Sequence, residues 1–427
     1  MSRHITNLPA GGYVPRVVDS SMERMLRASG AVHVTGPKWC GKTKTAEHFA
    51  ASCVYMQDPD RKGSLLALAE MRPSAILEGA EPRLIDEWQE APQLWDAVRF
   101  EVDRGAGKGR FILTGSSTPK KKPAHSGVGR IAPLRMRTMS LFESGDSSAA
   151  VSLKGLFDGE DDVAALADFT VEEYAFAICR GGWPEAVLEP DGEIALMQAG
   201  LYVDELINAN IEEMDGVRRN VTWMRSIMRS YARNVASQAA LSTIAADMQG
   251  EPPSDATVAD YVDALSRAHV TEDLAAWKPR LRSKTAVRTS PTRHFTDPAI
   301  AAALLHVTPT SLLEDFETFG LLFESLCVHD LRVYAEALGG TVYHYRDKTG
   351  LEADAVIVLP DGRWAPVEVK MGYSKIDEGA AHLIKLAARV DTQHEGTPSF
   401  LMVLTATEAA YRRPDGVIVA PLACLAP

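Results

Sequence analysis

Residues 36–43 read GPKWCGKT, and the run just ahead of them, Ala31–Thr35, reads AVHVT. The spacing G-x-x-x-x-G-K-T is that of a phosphate-binding loop, the Walker A motif. The apolar run predicts a strand leading in, and Lys44–Ala51 predicts a helix leading out. Gly36 and Gly41 let the backbone bend until its N–H groups face a triphosphate. The positive end of the following helix adds to that field. Lys42 is spaced to reach the β- and γ-phosphates, and the Thr43 hydroxyl to ligate Mg²⁺. The nucleotide-binding stretch is therefore Gly36, Pro37, Lys38, Trp39, Cys40, Gly41, Lys42, Thr43 and Lys44. Cys40 has two readings: a thiol activated by inward-facing N–H groups and Lys42, or a small packed thiol.

Working outward, EPRLIDEWQEAP at 81–92 carries a short aliphatic run ending in Asp86-Glu87, the Walker B arrangement. Asp86 would hold Mg²⁺, and Glu87 would orient and polarise the attacking water. RFILTGSS at 110–117 reads as a buried strand whose polar end, Thr114 or Ser116, would sit beside the γ-phosphate as a sensor. The loop TPKKKPAHSGVGR follows, with Lys120–Lys122 read as a solvated loop, and then an expected strand Met136–Phe142. Arg130, just before that strand, occupies the place of an arginine that reaches a neighbouring subunit's γ-phosphate. Such a finger is worth roughly 10³–10⁵ in rate in other systems. Arg104 and Arg135 are its rivals.

At 427 residues the chain predicts two to four domains. Its 46% hydrophobic and 24% charged content is that of a globular protein, with no apolar run of membrane-spanning length. The N-terminus lacks an apolar signal region, and five scattered cysteines without metal-ligand spacing point to a reducing cytoplasm. A net charge of −12 argues against indiscriminate nucleic-acid coating but leaves room for a local basic patch.

Ser144–Asp162, rich in Gly, Ser and Asp, reads as a boundary. Strongly helical sequence follows from Asp168, broken by RGGWPEAV at 180–187. This has the place and size of a helical lid, with Arg180 a candidate second sensor. Leu241–Leu274 reads as two short helices across a tight turn, a winged-helix pattern. The extended part beyond it, Ala275–Thr296, holds Lys278, Arg280, Arg282, Lys284, Arg288 and Arg293 with no acidic residue. It reads equally as a phosphate-contacting wing or as a structural one packed on the lid.

From Phe316 the pattern changes to a helix containing Glu324 and then three strands, TVYHYRDK, EADAVIVLP and WAPVEVK. Asp354 lies on the second, and Glu368 and Lys370 share one face of the third. An Asp, a Glu and a Lys at a sheet edge are the machinery of metal-dependent phosphodiester cleavage, with Glu324 a candidate further ligand. The same scaffold also serves as a docking module without chemistry.

Taken together, GPKWCGKT, LIDEWQ, FILTGSS, Gly129-Arg130, RGGWPEAV, YHYRDKTGLEAD and APVEVK resemble the bacterial and archaeal AAA+ ATP-binding proteins. Those carry a helical and winged-helix middle and a restriction-endonuclease-like C-terminal domain of unknown function. The resemblance implies an α/β P-loop core, a three-layer sandwich with a parallel sheet, at residues 1–146. A helical lid at 147–238, a winged-helix domain at 239–312 and a PD-(D/E)XK-like α/β domain at 313–427 would follow. It also implies a Mg²⁺-dependent ATPase working as a homo-oligomeric ring, often a hexamer, with DNA as a candidate partner and no membrane. The rival expectation is an ATP-dependent regulatory switch with a non-catalytic tail. Departures are Lys38-Trp39-Cys40 in the loop, Arg83 before Walker B, and no acidic residue near Ala209-Asn210.

Overall fold

The computed structural model describes residues 12–105, 107–115, 126–160, 162–210, 217, 219–248, 253–280 and 287–427. Five short strands, β1 (Ala31–Thr35), β2 (Ser52–Tyr55), β3 (Arg83–Asp86), β4 (Phe111–Gly115) and β5 (Ile131–Arg135), form one parallel sheet in the order β2-β3-β4-β1-β5. Alternation along β1 divides its residues between two cores. Val32 and Val34 pack with Met22 and Ala46 from the helices Asp19–Ala28 and Lys42–Phe49. Ala31 packs on the opposite face with Leu65, Leu94 and Val98 from Lys62–Met71 and Gln93–Arg104. Helices on both faces make the three-layer sandwich. The strand expected at Met136–Phe142 is displaced: pairing with β1 uses Ile131–Arg135, and 136–142 leaves the sheet.

Two further strands come where a helical lid was expected. β6 (Val151–Ser152) and β7 (Ala164–Leu166) pair with the far C-terminus. β7 is the edge of a seven-stranded sheet that also contains β8 (Thr341–Arg346), β9 (Glu352–Val358), β10 (Trp364–Lys370), β11 (Met402–Thr405), β12 (Ala409–Arg412) and β13 (Ile418–Pro421). β14 (Leu425–Ala426) pairs with β6. Within this unit the helix Phe316–Ala337, strands β8, β9 and β10, the helix Ile376–Arg389 and β11 follow in that order. A three-residue strand reading AAL offers no alternation to recognise, so the boundary at 147 could not be placed from sequence.

Helical structure then runs from Val171, where Thr170 and Glu173 form a reciprocal capping box. The helices Val221–Arg233, Leu241–Ala246 and Asp255–Arg267 pack on one another. Antiparallel bridges Thr271–Phe295 and Leu274–Thr292 form the base of a wing. The three-helix unit thus begins at Val221, before the expected boundary at 239. The wing is sewn to the C-terminal sheet through Ala276–His344 and Val287–Asp347, while its base bonds to Ala236 and Ser237 and stacks Phe295 on Tyr231, within the expected lid.

Candidate functional site: the P-loop and its neighbours

The parallel sheet brings the C-terminal ends of β1, β3 and β4 together, the usual place for a ligand in an open α/β sheet. Gly36 leaves β1 at φ +154, and a Cβ there would meet the Met136 carbonyl at 2.1 Å. Gly41 caps the helix Lys42–Phe49 at φ +103, so both glycines are required by backbone geometry. Lys42 is buried and its Nζ donates to the carbonyls of Gly36 (3.0 Å) and Pro37 (2.7 Å). At the adjacent strand ends, Thr43 Oγ1 (2.8 Å) and Thr114 Oγ1 (2.6 Å) both donate to Asp86 Oδ1. Lys42, Thr43, Asp86 and Thr114 are thereby brought to one place, although Arg83 and Pro82 shorten the run before Asp86. Glu87 adopts a left-handed conformation, φ +53, and accepts from Gln89 Nε2. Non-glycine residues in that region cost about 1–3 kcal/mol and collect at functional sites. Ser116 and Lys120–Lys122 lie outside the described residues.

Cys40 is fully buried against Gly36 and the Met136 backbone, which is the packed-thiol reading; among the described cysteines Cys53 is the exposed one. Trp39 is 47% exposed, with its ring edge-on to Tyr202. Lys44 pairs at the surface with Glu47 (2.8 Å).

Several contacts around the loop escaped the sequence reading, although Arg135, one of the rivals to Arg130, and the RGGWPEAV stretch did not. Arg16, buried, donates to the Cys40 carbonyl (2.8 Å) and is held by Glu143 (2.9 Å). Trp183 Nε1 donates to the Lys38 carbonyl (3.2 Å), tying RGGWPEAV to the loop. Arg135 stands beside Thr35 at the P-loop end of β5 and pairs with Glu272 (3.4 Å), from the base of the wing. Glu272 also binds Arg137 (2.6 Å), which binds Glu336 of the helix Phe316–Ala337 (2.6 Å). Burial alone would raise the Glu272 carboxyl, but Arg137, Arg332 and Arg135 hold it well below the usual range. His269, three residues before Glu272, has a buried Nδ1 without a hydrogen-bond partner. Burial, with Arg135 and Lys42 nearby, lowers its pKa to about 4, so it is neutral at pH 7. Apart from Arg16–Cys40, the hydrogen-bonded and ion-paired contacts here cross 100 residues or more of sequence, and no local pattern announces them.

Other expected site residues lie elsewhere. Ile131 pairs beside Ala31, so Arg130 sits at the sheet end opposite the loop, six residues or about 20 Å away at 3.3 Å per residue. There it binds Asp103 (2.7 Å). Arg180 is buried in a pair with Asp146 (2.9 Å). Arg293 is likewise buried and paired with Asp273, while Lys278, Arg280 and Arg288 are exposed and Arg282 and Lys284 lie outside the described residues. The helix Asp255–Arg267, which a winged helix would present to a groove, exposes Asp255, Asp260 and Asp263.

In the C-terminal sheet, Asp354 and Glu368 do meet Lys370. Its Nζ lies 2.6 Å from Glu368 and 3.7 Å from Asp354, which also accepts from the Val369 N–H (2.7 Å). Burial and the neighbouring Asp354 push the carboxyls of Glu324 and Glu368 well above the usual range. Lys370 stays protonated, because Asp354 and Glu368 outweigh its burial. His382 Nδ1 stands 3.5 Å from the second Glu368 oxygen. Among the described residues, no group of three or more His, Cys, Asp or Glu side chains is placed to hold a metal ion. The donor set therefore does not fit an all-protein metal cage; a lysine occupies the space between two of its carboxylates.

Residues 28–144 match the family described as AAA domain. The N-terminal unit is thus similar to AAA domains, and that likeness points to an ATP-binding P-loop ATPase. Residues 171–311 and 319–425 match two families described as domains of unknown function, DUF8612 and DUF4143. The first spans the lid and winged-helix regions together. Uncharacterized proteins of Mycobacterium tuberculosis and Mycobacterium bovis are each 24% identical over 358 residues, covering 82% of this chain and 72% of theirs. A Walker-type ATPase of Pyrococcus abyssi aligns structurally at 12% identity and TM-score 0.40, over 70% of this chain and 97% of that one. Among the described residues no helix is long and apolar enough to cross a membrane.

Proposed function

We propose that this chain is a Mg²⁺-dependent ATPase, working as a ring-shaped homo-oligomer, whose turnover is coupled to a C-terminal nuclease-like domain that acts on or binds DNA. The observation carrying the ATPase reading is the convergence of Thr43 and Thr114 on Asp86 beside the Lys42 loop. Thr43 and Asp86 offer hard oxygen ligands of the kind Mg²⁺ prefers. The ion, when bound, neutralises charge on the β- and γ-phosphates. Lys42 exchanges the Gly36 and Pro37 carbonyls for phosphate oxygens. Glu87, at the turn after β3, accepts a proton from the attacking water, and Thr114 holds the Asp86 carboxylate in place. Arg130 cannot serve its own chain's loop from the far sheet end, so its role as a finger depends on a neighbour.

Lys42→Ala is expected to lose ATP binding, and Glu87→Gln to bind ATP yet hydrolyse it slowly; turnover retained in both variants ends the ATPase reading. Arg130→Ala protein mixed with Lys42→Ala protein should regain activity if sites are shared, and native mass should rise with ATP. No rescue together with a monomeric mass removes the ring.

For the C-terminal domain, the helix–strand–strand–strand–helix–strand order and the Asp354, Glu368, Lys370 grouping support a restriction-endonuclease-like scaffold. The seating of Lys370 between the carboxylates favours the second reading, an ATP-dependent switch whose tail binds without cutting. Mg²⁺- or Mn²⁺-dependent nicking that Asp354→Ala abolishes would reverse that preference.

A further inference from the structure

The helix Val221–Arg233 carries Arg225, Arg229 and Arg233 at four-residue intervals, all exposed and on one face. Successive guanidinium positions are about 6 Å apart along the helix axis, giving a basic track of about 12 Å. The track borders a cleft of about 250 Å³ between this helix, the helix Gly192–Glu205 and the end of Pro298–Leu305. Gly200 leaves one wall without a side chain, Met248 and Leu304 give an apolar floor, and Ser226 and His306 add polar groups. The outer two arginines are already engaged, Arg225 with Asp204 (3.2 Å) and Arg233 with Asp247 (2.6 Å). Arg229, between them, makes no hydrogen bond or ion pair among the described residues, and Asp204 is the one carboxylate lining the cleft.

In a chain of net charge −12, three arginines on one helical face and a single lining carboxylate mark a local reversal of field. A guanidinium presents a planar fork of donors matched to phosphate oxygens, and Arg229 is free to use it. The helix a winged helix ordinarily offers a groove exposes Asp255, Asp260 and Asp263, the last two paired with Arg219 (3.2 Å) and Arg267 (2.7 Å), so its charges offset one another.

We propose that the cleft beneath Arg225, Arg229 and Arg233 is a phosphate seat, with Arg229 its central ligand and the phosphates of a nucleic-acid strand its occupant. The 12 Å track is longer than one phosphate and follows a run of them; a free phosphate or pyrophosphate would fill only the part under Arg229. The proposal rests on the reading that the chain engages nucleic acid, and it moves the contact surface from the helix Asp255–Arg267 to the helix Val221–Arg233.

The test uses the full chain carrying Lys42→Ala, so that the P-loop contributes no phosphate binding. Anisotropy of a labelled 20-nucleotide single strand is measured against salt, and pyrophosphate binding by calorimetry. Arg229→Glu should weaken the strand tenfold or more, while Arg229→Lys, which keeps the charge but loses the planar fork, should weaken it by less than Arg229→Glu. The slope of log affinity against log salt should fall by roughly 0.7 on losing one contact to a single strand. Arg72→Glu, at an exposed pair remote from the cleft, is the control for charge reversal, and unchanged melting controls for folding. If only pyrophosphate binds, and Arg229→Glu removes it, the seat stands with a free phosphate as occupant and the nucleic-acid reading falls. If the strand binds and Arg229→Glu leaves it within twofold, or if neither probe binds, the seat is overturned.

Discussion

At the P-loop end of the five-stranded sheet one carboxylate, Asp86, accepts from two hydroxyls, while Lys42 is held only by neutral carbonyls. In the seven-stranded sheet, by contrast, Glu324, Asp354 and Glu368 crowd around a single ammonium, Lys370. The first site keeps its charges apart and leaves the lysine to exchange weak partners for strong ones. The second has already spent its lysine on its own carboxylates. A charged ligand gains at the first by replacing carbonyl contacts; at the second a cation must compete with Lys370, and an anion meets three carboxyls. Motif matching treats the two alike, as a lysine beside acidic groups. The partners of each lysine separate them.

The largest expected difference is in activity. Asp86→Ala should lower ATP turnover by about 10² or more, since it removes both the hard oxygen ligand and the acceptor for Thr43 and Thr114. Asp354→Ala should leave ATP turnover within about threefold of native. Equal losses of steady-state ATPase in the two variants would show that the sites are not separable.

Next is stability. Lys370→Met leaves Glu368 buried without its cation and should destabilise the fold by about 3 kcal/mol. Lys42→Met removes a lysine held, among the described residues, by the Gly36 and Pro37 carbonyls, and should change stability by about 1 kcal/mol, the net worth of a hydrogen bond. Urea denaturation followed by circular dichroism reads both; a Lys42→Met protein as damaged as Lys370→Met would erase the contrast.

The pH dependence should also differ. The folded pKa of Glu368 is raised by burial and Asp354, so its stabilising contribution is complete below about pH 4.5 and is lost as pH rises through the folded value. Glu272, held low chiefly by Arg137, behaves oppositely: its contribution is present above the unfolded value and is lost as pH falls through the folded one. Glu368→Gln should therefore gain on the native chain as pH rises from 5 towards 8. The gain is about 1.4 kcal/mol for each pH step of one between the unfolded and folded values of the glutamate. Melting curves whose difference stays constant across that range would contradict the assignment.

The smallest effect is chemical. A limited dose of alkylating agent should label Cys53 before the buried Cys40 and leave ATPase activity nearly intact. Mass spectrometry showing Cys40 labelled first, with ATP protecting it, would restore the reactive-thiol reading.

The sequence by itself determined the nucleotide-binding stretch, because its chemistry is local. Gly36, Gly41, Lys42 and Thr43 are set by bond geometry and spacing within eight residues, and Asp86 and Thr114 end buried runs whose direction a parallel sheet enforces. The strands carrying Asp354, Glu368 and Lys370 were legible for the same reason, through alternation. Only the tertiary structure decided what surrounds these groups. Arg16 on the Cys40 carbonyl, Trp183 on the Lys38 carbonyl, and the Arg135, Arg137, Glu272 and Glu336 network join segments distant in sequence, where no periodicity links one partner to the other. It also placed β7 in the C-terminal sheet, buried Arg180 and Arg293 in ion pairs, and set Arg130 at the far sheet end. A charged residue's role depends on which opposite charge folding brings to it, and that is a property of the packed chain.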